Sequence, residues 1–166
     1  MGGIVALQLV ALYHMKAKRL KLFETNLKPA SSFYRNLMLP QNKEIHQDII
    51  QMIQEESIYC PMELKKCLQD NFDYTVYINH INDPIELYYG DRGQPDYPYL
   101  YQDLCLGESI LKRCSIQFIK DACHMPMIEN PQEFIRKIKK DDVQTSSNGM
   151  NLKIILFLKF VPFLLR

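Results

Sequence analysis

The sequence predicts a mainly helical α+β fold with a small antiparallel pair of strands near residues 74–89. Two observations predict it. Apolar residues recur at helical spacing in several segments, and they alternate with polar residues only in the stretch from Tyr74 to Tyr89. The 166 residues, 47% of them hydrophobic and 23% charged, are enough for one domain with a buried core.

The first predicted element is a hydrophobic helix in an apolar and basic segment over residues 1–40. Residues Ile4 to Tyr13 are nearly all apolar, and the first lysines and arginine come after this run. A cleaved secretory signal would carry its cations before the apolar run. We therefore expect a helix packed on the core, with a mitochondrial presequence as the alternative.

A single α+β domain is expected over residues 41–142, and it begins with two helices. Between Lys43 and Tyr59, apolar residues recur at helical spacing, which predicts an amphipathic helix. Pro61 suits the first position of a second, short helix, and Asn71 can end it.

The strand pair follows these helices. Apolar and polar residues alternate from Tyr74 and again from Ile85 to Tyr89. The residue before Pro84 is pushed out of helical geometry, so we expect a turn between two strands there. Glycines, prolines and aspartates are frequent over residues 90–98, which predicts a loop.

Two further helices complete the predicted domain. An apolar stripe after Gly107 predicts a third core helix. Asn130 and Pro131 provide a cap and a first-turn proline for a fourth helix, and its basic C-terminal end suits the helix dipole. This helix is expected to end at Asp141 or Asp142.

The composition changes abruptly after the domain. Residues 143–150 are predicted to be a polar linker and residues 151–166 an apolar tail. The apolar run 152–165 is shorter than the roughly 20 residues that span a bilayer, and lysines and Pro162 interrupt it. We interpret the tail as the end of an alternative or truncated product, and membrane contact by residues 152–165 is the alternative.

No catalytic motif can be read in the sequence. The glycines fit neither a phosphate-binding loop nor a dinucleotide motif, and no serine stands in a Gly-x-Ser-x-Gly pattern. The five cysteines lack the short spacing of zinc sites. The best candidate for a metal site consists of Cys114, Cys123 and His124. Cys123 is also a candidate nucleophile. The simpler interpretation of these cysteines is that they are buried thiols. We therefore predict no enzyme, no metal and no cofactor.

Charge and cysteine content bear on partners and location. Twenty Lys and Arg residues stand against 19 Asp and Glu residues, so a net charge of +1 gives no strong nucleic-acid signal. The odd number of cysteines and the absence of a cleavable signal favour reduced thiols and a cytoplasmic protein. A mitochondrial or membrane-associated location is the alternative.

Tyrosines around the predicted loop are the most unusual surface feature. Tyrosine supplies rigid contact area with a polar tip at low entropic cost. We predict that five of them bind a protein partner of unknown identity: Tyr88, Tyr89, Tyr97, Tyr99 and Tyr101. The alternative is that these rings fill the core.

Residues 75–89 resemble the opening strands of extended Tudor domains. In that family an alternating strand reaches a small polar residue and a proline, as at Asp83 and Pro84, and an aromatic-rich strand follows. The resemblance implies a non-enzymatic scaffold that binds methylarginine-containing partners through an aromatic cage. The predicted function is a non-catalytic protein-interaction module or a truncated piece of a larger scaffold. The alternative is a small membrane- or mitochondrion-associated protein that uses its apolar ends.

Overall fold

The computed structural model describes residues 2–63, 71–140 and 154–155. The predicted linker at 143–150, most of the predicted tail at 151–166 and most of the short helix predicted after Pro61 lie outside these residues. In chain order the elements are α1 (Gly2–Tyr13), β1 (Leu20–Phe23), a 3-10 helix (Ser32–Arg35), α2 (Pro40–Ile45), α3 (Gln47–Ser57), α4 (Thr75–Ile78), β2 (Ile85–Gly90), α5 (Leu100–Asp103), α6 (Glu108–Arg113), β3 (Cys114–Ile119), α7 (Pro126–Glu129), α8 (Pro131–Lys140) and β4 (Ile154–Ile155).

The strands form one sheet in the order β3-β2-β1-β4, and every described pairing in it is parallel. Leu20 of β1 lies opposite Ile85 of β2, which in turn lies opposite Cys114 of β3. All residues of β2 are buried, as expected for the central strand of a parallel sheet covered on both faces. Parallel strands end at the same edge, so Phe23, Gly90 and Ile119 bring the chain to one side of the sheet.

The structure confirms a mixture of helices and strands, but the predicted antiparallel strand pair is wrong. Thr75–Ile78 is the short helix α4, and only the second half of the predicted pair is a strand. That strand, β2, has parallel neighbours on both sides. The alternation after Tyr74 covers too few residues to tell a short strand from one turn of helix. Either structure can bury an apolar residue at this spacing.

Three of the four helices predicted for the domain are found, two of them with changed boundaries. The helix expected between Lys43 and Tyr59 consists of α2 and α3, which are separated at His46. The helix expected after Gly107 is α6, and it ends at Arg113 because the chain continues as β3 beside β2. The helix expected from Pro131 is α8.

Two of the buried clusters lie on opposite faces of the sheet. On one face, Leu7 and Val10 of α1 pack in the cluster that contains Leu22 and Leu87. On the other face, Tyr88 of β2 lies in a cluster with Phe134 of α8, and Tyr88 also stacks on Phe23 at 4.7 Å. Successive side chains of β2 thus alternate between the two faces, which gives three layers: helix, sheet and helix.

The hydrophobic helix α1 is packed on the core, as expected. Ile4, Leu7 and Val10 are buried, whereas Val5 and Leu12 are exposed. None of the helices in the described ranges has the length and apolar character needed to cross a membrane.

Candidate functional site

Three polar side chains meet at the carboxyl edge of the parallel sheet. Glu24 directly follows β1, Arg92 comes two residues after the end of β2, and His124 lies between β3 and α7. Ligands of open α/β sheets bind in the crevice outside the carboxyl ends of the strands. The sheet therefore places these three side chains where chemistry is most often found in this class of fold.

Glu24 and Arg92 form a buried ion pair with two parallel hydrogen bonds. Arg92 Nη1 donates to Glu24 Oε1 at 2.9 Å, and Arg92 Nη2 donates to Glu24 Oε2 at 2.8 Å. Their side chains are only 1% and 5% exposed. The backbone N–H of Gly90 adds a third donor, 2.5 Å from Oε1. The carboxylate is thus fully desolvated and held in a fixed plane.

Both members of this pair adopt strained backbone conformations. The φ angles of Glu24 and Arg92 are 46° and 56°, in the left-handed region that residues with a Cβ atom rarely adopt. Hydrogen bonds hold them there: the N–H of Glu24 donates to Tyr88 O at 2.8 Å, and the N–H of Arg92 donates to Ala122 O at 2.9 Å. Such strain is kept only where the surroundings determine it, and it concentrates at functional sites.

Gly90 allows the two loops of the site to approach each other closely. A Cβ atom at Gly90 would lie 2.0 Å from the backbone oxygen of Ala122 and 2.7 Å from that of Cys123. Any larger residue would push the segment before His124 away from the end of β2. The glycine therefore sets the distance between β2 and the histidine.

His124 faces the buried carboxylate. Its Nδ1 atom lies 3.5 Å from Glu24 Oε2, which is longer than an ordinary hydrogen bond, and makes no hydrogen bond to any residue that the structure describes. The side chain is 22% exposed, so the ring also reaches the surface. Its backbone N–H donates to Asn36 O at 3.3 Å, which ties the histidine to the segment after the 3-10 helix.

The surroundings keep Glu24 ionised. Burial by itself raises the pKa of Glu24, but the charge of Arg92, the nearby His124 ring and the hydrogen bonds from Arg92 outweigh it, so the pKa is lowered. Burial lowers the pKa of Arg92, and the Glu24 carboxylate outweighs that effect and raises it. A carboxylate next to Nδ1 favours the imidazole tautomer with its proton on Nδ1, which leaves the lone pair on Nε2.

The cysteine next to the histidine is not suited to nucleophilic attack. Burial raises the pKa of Cys123 to about 12 and that of Cys114 to about 11. The thiolate, not the thiol, is the nucleophile and the metal ligand. Across the described ranges, no group of three or more His, Cys, Asp or Glu residues is placed to hold a metal ion. His124 is therefore paired with a carboxylate rather than with the thiols.

The five tyrosines of the predicted partner surface do not form one surface. Tyr88 and Tyr89 are buried in the sheet, where their hydroxyl groups donate to Glu86 and to Thr25 O. The hydroxyl of Tyr97 donates to Asp103 Oδ2 at 2.7 Å, whereas the side chains of Tyr99 and Tyr101 are 59% and 46% exposed. Tyr88 and Tyr89 thus present no surface to a partner, and binding by the other three stays a prediction.

Comparison with solved structures gives three similar chains. They are MGS-M2, an α/β hydrolase enzyme from a Medee basin deep-sea metagenome library (16% identity, TM-score 0.57), a bacterial membrane phospholipase A described as a virulence factor (19%, 0.55), and a thermophilic esterase from Thermogutta terrifontis (17%, 0.50). The matches cover 87% to 89% of this chain and 64%, 55% and 62% of those chains. No protein-family model and no curated protein matches the sequence.

The fold resembles that of the α/β hydrolases. The likeness to Tudor domains is therefore wrong, because residues 75–89 form α4 and most of a central parallel strand instead of two antiparallel strands. The predictions of a non-catalytic interaction module or scaffold piece and of a protein that is not an enzyme are contradicted as well, since all three neighbours are hydrolases by name. The fold does not favour the membrane- or mitochondrion-associated alternative either.

Sequence reasoning missed Glu24 and Arg92 and considered His124 only beside cysteines. The sequence carried only a weak positional signal, since Arg92 comes two residues after the largely apolar run of β2 and Glu24 follows a run that Lys21 interrupts. Glu24 and Arg92 are 68 positions apart, so no local motif joins them. Only the parallel pairing of β1 with β2 brings them together.

Proposed function

We propose that this protein is a hydrolase of carboxylic esters in which the Glu24 carboxylate orients His124, and His124 acts first as the general base and then as the general acid. The observation that carries the proposal is the contact of His124 Nδ1 with the buried Glu24 carboxylate, 3.5 Å apart, at the carboxyl edge of an α/β hydrolase-like sheet. A carboxylate that orients a histidine is the shared core of the hydrolytic triads. The acid also precedes the histidine in the chain, as it does in α/β hydrolases.

In the proposed reaction His124 removes a proton from the attacking oxygen. With the Nδ1 proton held toward Glu24, Nε2 accepts that proton while the oxygen attacks the ester carbonyl. The imidazolium that forms is stabilised by the Glu24 carboxylate. It then returns the proton to the leaving alcohol, so that the histidine is neutral again at the end of the step.

The attacking oxygen is expected near the N-terminal end of α1. In α/β hydrolases the nucleophile lies on a turn that leads from a strand into a helix. The start of α1 touches the residue after the acid, because a Cβ atom at Gly3 would lie 2.0 Å from Thr25 Oγ1. Residue 1 is a methionine and has no hydroxyl, so a water molecule at this end of α1 is the attacking oxygen that His124 can activate.

Hydrolysis of p-nitrophenyl butyrate tests the proposal. The variants His124→Ala and Glu24→Gln are expected to lose about 100- to 10,000-fold in kcat/KM, the range for removing a general base or the acid that orients it. The exposed histidine variant His80→Ala serves as the matched control and should keep wild-type activity. A wild-type rate no higher than buffer, or a folded His124→Ala variant as active as wild type, would refute the proposal.

A further inference from the structure

We infer that Arg92 is a positioning residue that turns the Glu24 carboxylate toward His124 and thereby fixes the tautomer of the imidazole. This inference rests on the proposed function, because it assigns a role within the same site. Arg92 itself is almost fully buried, with a side chain that is 1% exposed. It therefore acts on the reacting groups through Glu24 and does not require contact with substrate.

The contacts of Glu24 show how the position is set. A carboxylate offers about four lone-pair sites. The Oε1 atom of Glu24 accepts hydrogen bonds from Gly90 N–H and Arg92 Nη1. The Oε2 atom accepts one from Arg92 Nη2 and lies next to His124 Nδ1. The first three contacts determine the plane of the carboxylate. The remaining site on Oε2 is the one that lies 3.5 Å from His124 Nδ1, and Nδ1 has no hydrogen-bond partner of normal geometry among the described residues.

Arg92 can hold the carboxylate because its own position is determined independently. Nη1 also donates to Gly90 O at 2.8 Å, and Nη2 donates to Tyr34 O at 2.7 Å. The guanidinium lies over the Tyr34 ring, 4.5 Å from its centroid. The end of β2 and the 3-10 helix thus fix the guanidinium plane, and that plane fixes Glu24.

This role depends on the shape of the guanidinium as well as on its charge. A lysine would keep the charge, but its ammonium group is a point charge that cannot form two parallel hydrogen bonds. Arg92→Lys therefore separates positioning from charge compensation. Arg92→Met removes both functions with little change in side-chain length.

The experiment combines nitrogen-15 NMR of the His124 ring with ester kinetics. At about pH 8.5, where an ordinary imidazole is neutral, we expect a single Nδ1–H tautomer in the wild type. In Arg92→Lys and Arg92→Met we expect a mixture of both tautomers. We also expect kcat to fall by about 10- to 100-fold with KM nearly unchanged, as for a misplaced catalytic group. Arg136→Met, which removes an exposed two-bond pair with Glu133, is the matched control and should behave as wild type.

Each outcome decides the inference. A folded Arg92→Lys variant with the wild-type tautomer and kcat would overturn it, as would a wild-type ring that already mixes both tautomers. If Arg92→Met does not fold, Arg92→Lys alone gives the answer. The tautomer measurement needs no turnover, so a protein without esterase activity would overturn the proposed function while the NMR spectra still report on Arg92.

Discussion

Two arginine–glutamate pairs of the described residues are each joined by two hydrogen bonds but lie in opposite environments. In the site, Arg92 holds Glu24 by two hydrogen bonds of 2.8 and 2.9 Å, with both side chains at most 5% exposed. On α8, Arg136 holds Glu133 by two bonds of 2.6 Å, with side chains 59% and 18% exposed. The shorter bonds are those at the surface.

The difference shows that surroundings, more than distance, decide what an ion pair does. Water competes for the charges on α8, so the pair adds little to stability there. At the sheet edge the charges have no access to water, so loss of either partner leaves the other buried and uncompensated. The buried pair also connects β1, β2 and the 3-10 helix, whereas the surface pair stays within one helix.

The largest effect is expected when the buried pair is broken. Arg92→Met leaves the Glu24 carboxylate without its cation, and we expect a loss of about 3–5 kcal/mol in the free energy of unfolding. Urea denaturation at neutral pH measures this loss. If the loss is no larger than that for Arg136→Met, the two environments are equivalent and the comparison fails.

A smaller loss is expected from Gly90→Ala, which tests the close approach behind the buried pair. The new Cβ atom would meet the backbone oxygen of Ala122, which cannot move away as a side chain can. We expect a destabilisation of about 1–3 kcal/mol in urea denaturation, typical of overpacking. Gly107→Ser is the control, since a Cβ atom at Gly107 meets nothing within 4 Å. Equal stability of the two variants would contradict the tight contact.

Acid should weaken the buried pair. The pKa of Glu24 is lowered in the folded protein, so its ionised form stabilises the fold above the ordinary pKa of glutamate. That stabilisation is lost as the pH falls through the folded pKa. In Arg92→Met the carboxylate is buried without its cation, and protonation relieves it. The difference in unfolding free energy between wild type and Arg92→Met should therefore shrink from pH 7 toward pH 4, and a constant difference would contradict this assignment.

The smallest effect is expected at the surface pair. Arg136→Met should leave the midpoint of urea denaturation at the wild-type value, because water and salt already screen the charges of the exposed pair. Repeating the measurement at low and high salt checks the screening. A large loss of stability that persists at high salt would show that this pair is structurally important after all.

The sequence predicts some elements well, because their signals are local. The cap and first-turn proline at the start of α8 and the apolar character of α1 both lead to helices in the structure. The strand β1 gave no such signal, since its residue Lys21 is charged yet only 5% exposed. Its Nζ atom donates to Ile138 O at 3.0 Å, a partner far away in the sequence.

The candidate site could not be predicted either, because its residues are far apart in the sequence. Periodicity shows that a segment is a strand, but it does not show which strand lies beside it or in which direction. The expected antiparallel pair followed from nearness in sequence, whereas β2 pairs with β1 and β3. Without that parallel pairing, Glu24, Arg92 and His124 are three isolated polar residues.

The parallel pairing of β1 and β2 also has a consequence for folding kinetics. The connection from Glu24 to Pro84 must be closed before these strands can pair, and such long-range contacts slow the search for the native topology. The Glu24 carboxylate meets Arg92 only when this crossover is complete. The slowest step of folding and the formation of the buried Glu24–Arg92 pair are thus expected to be a single kinetic event.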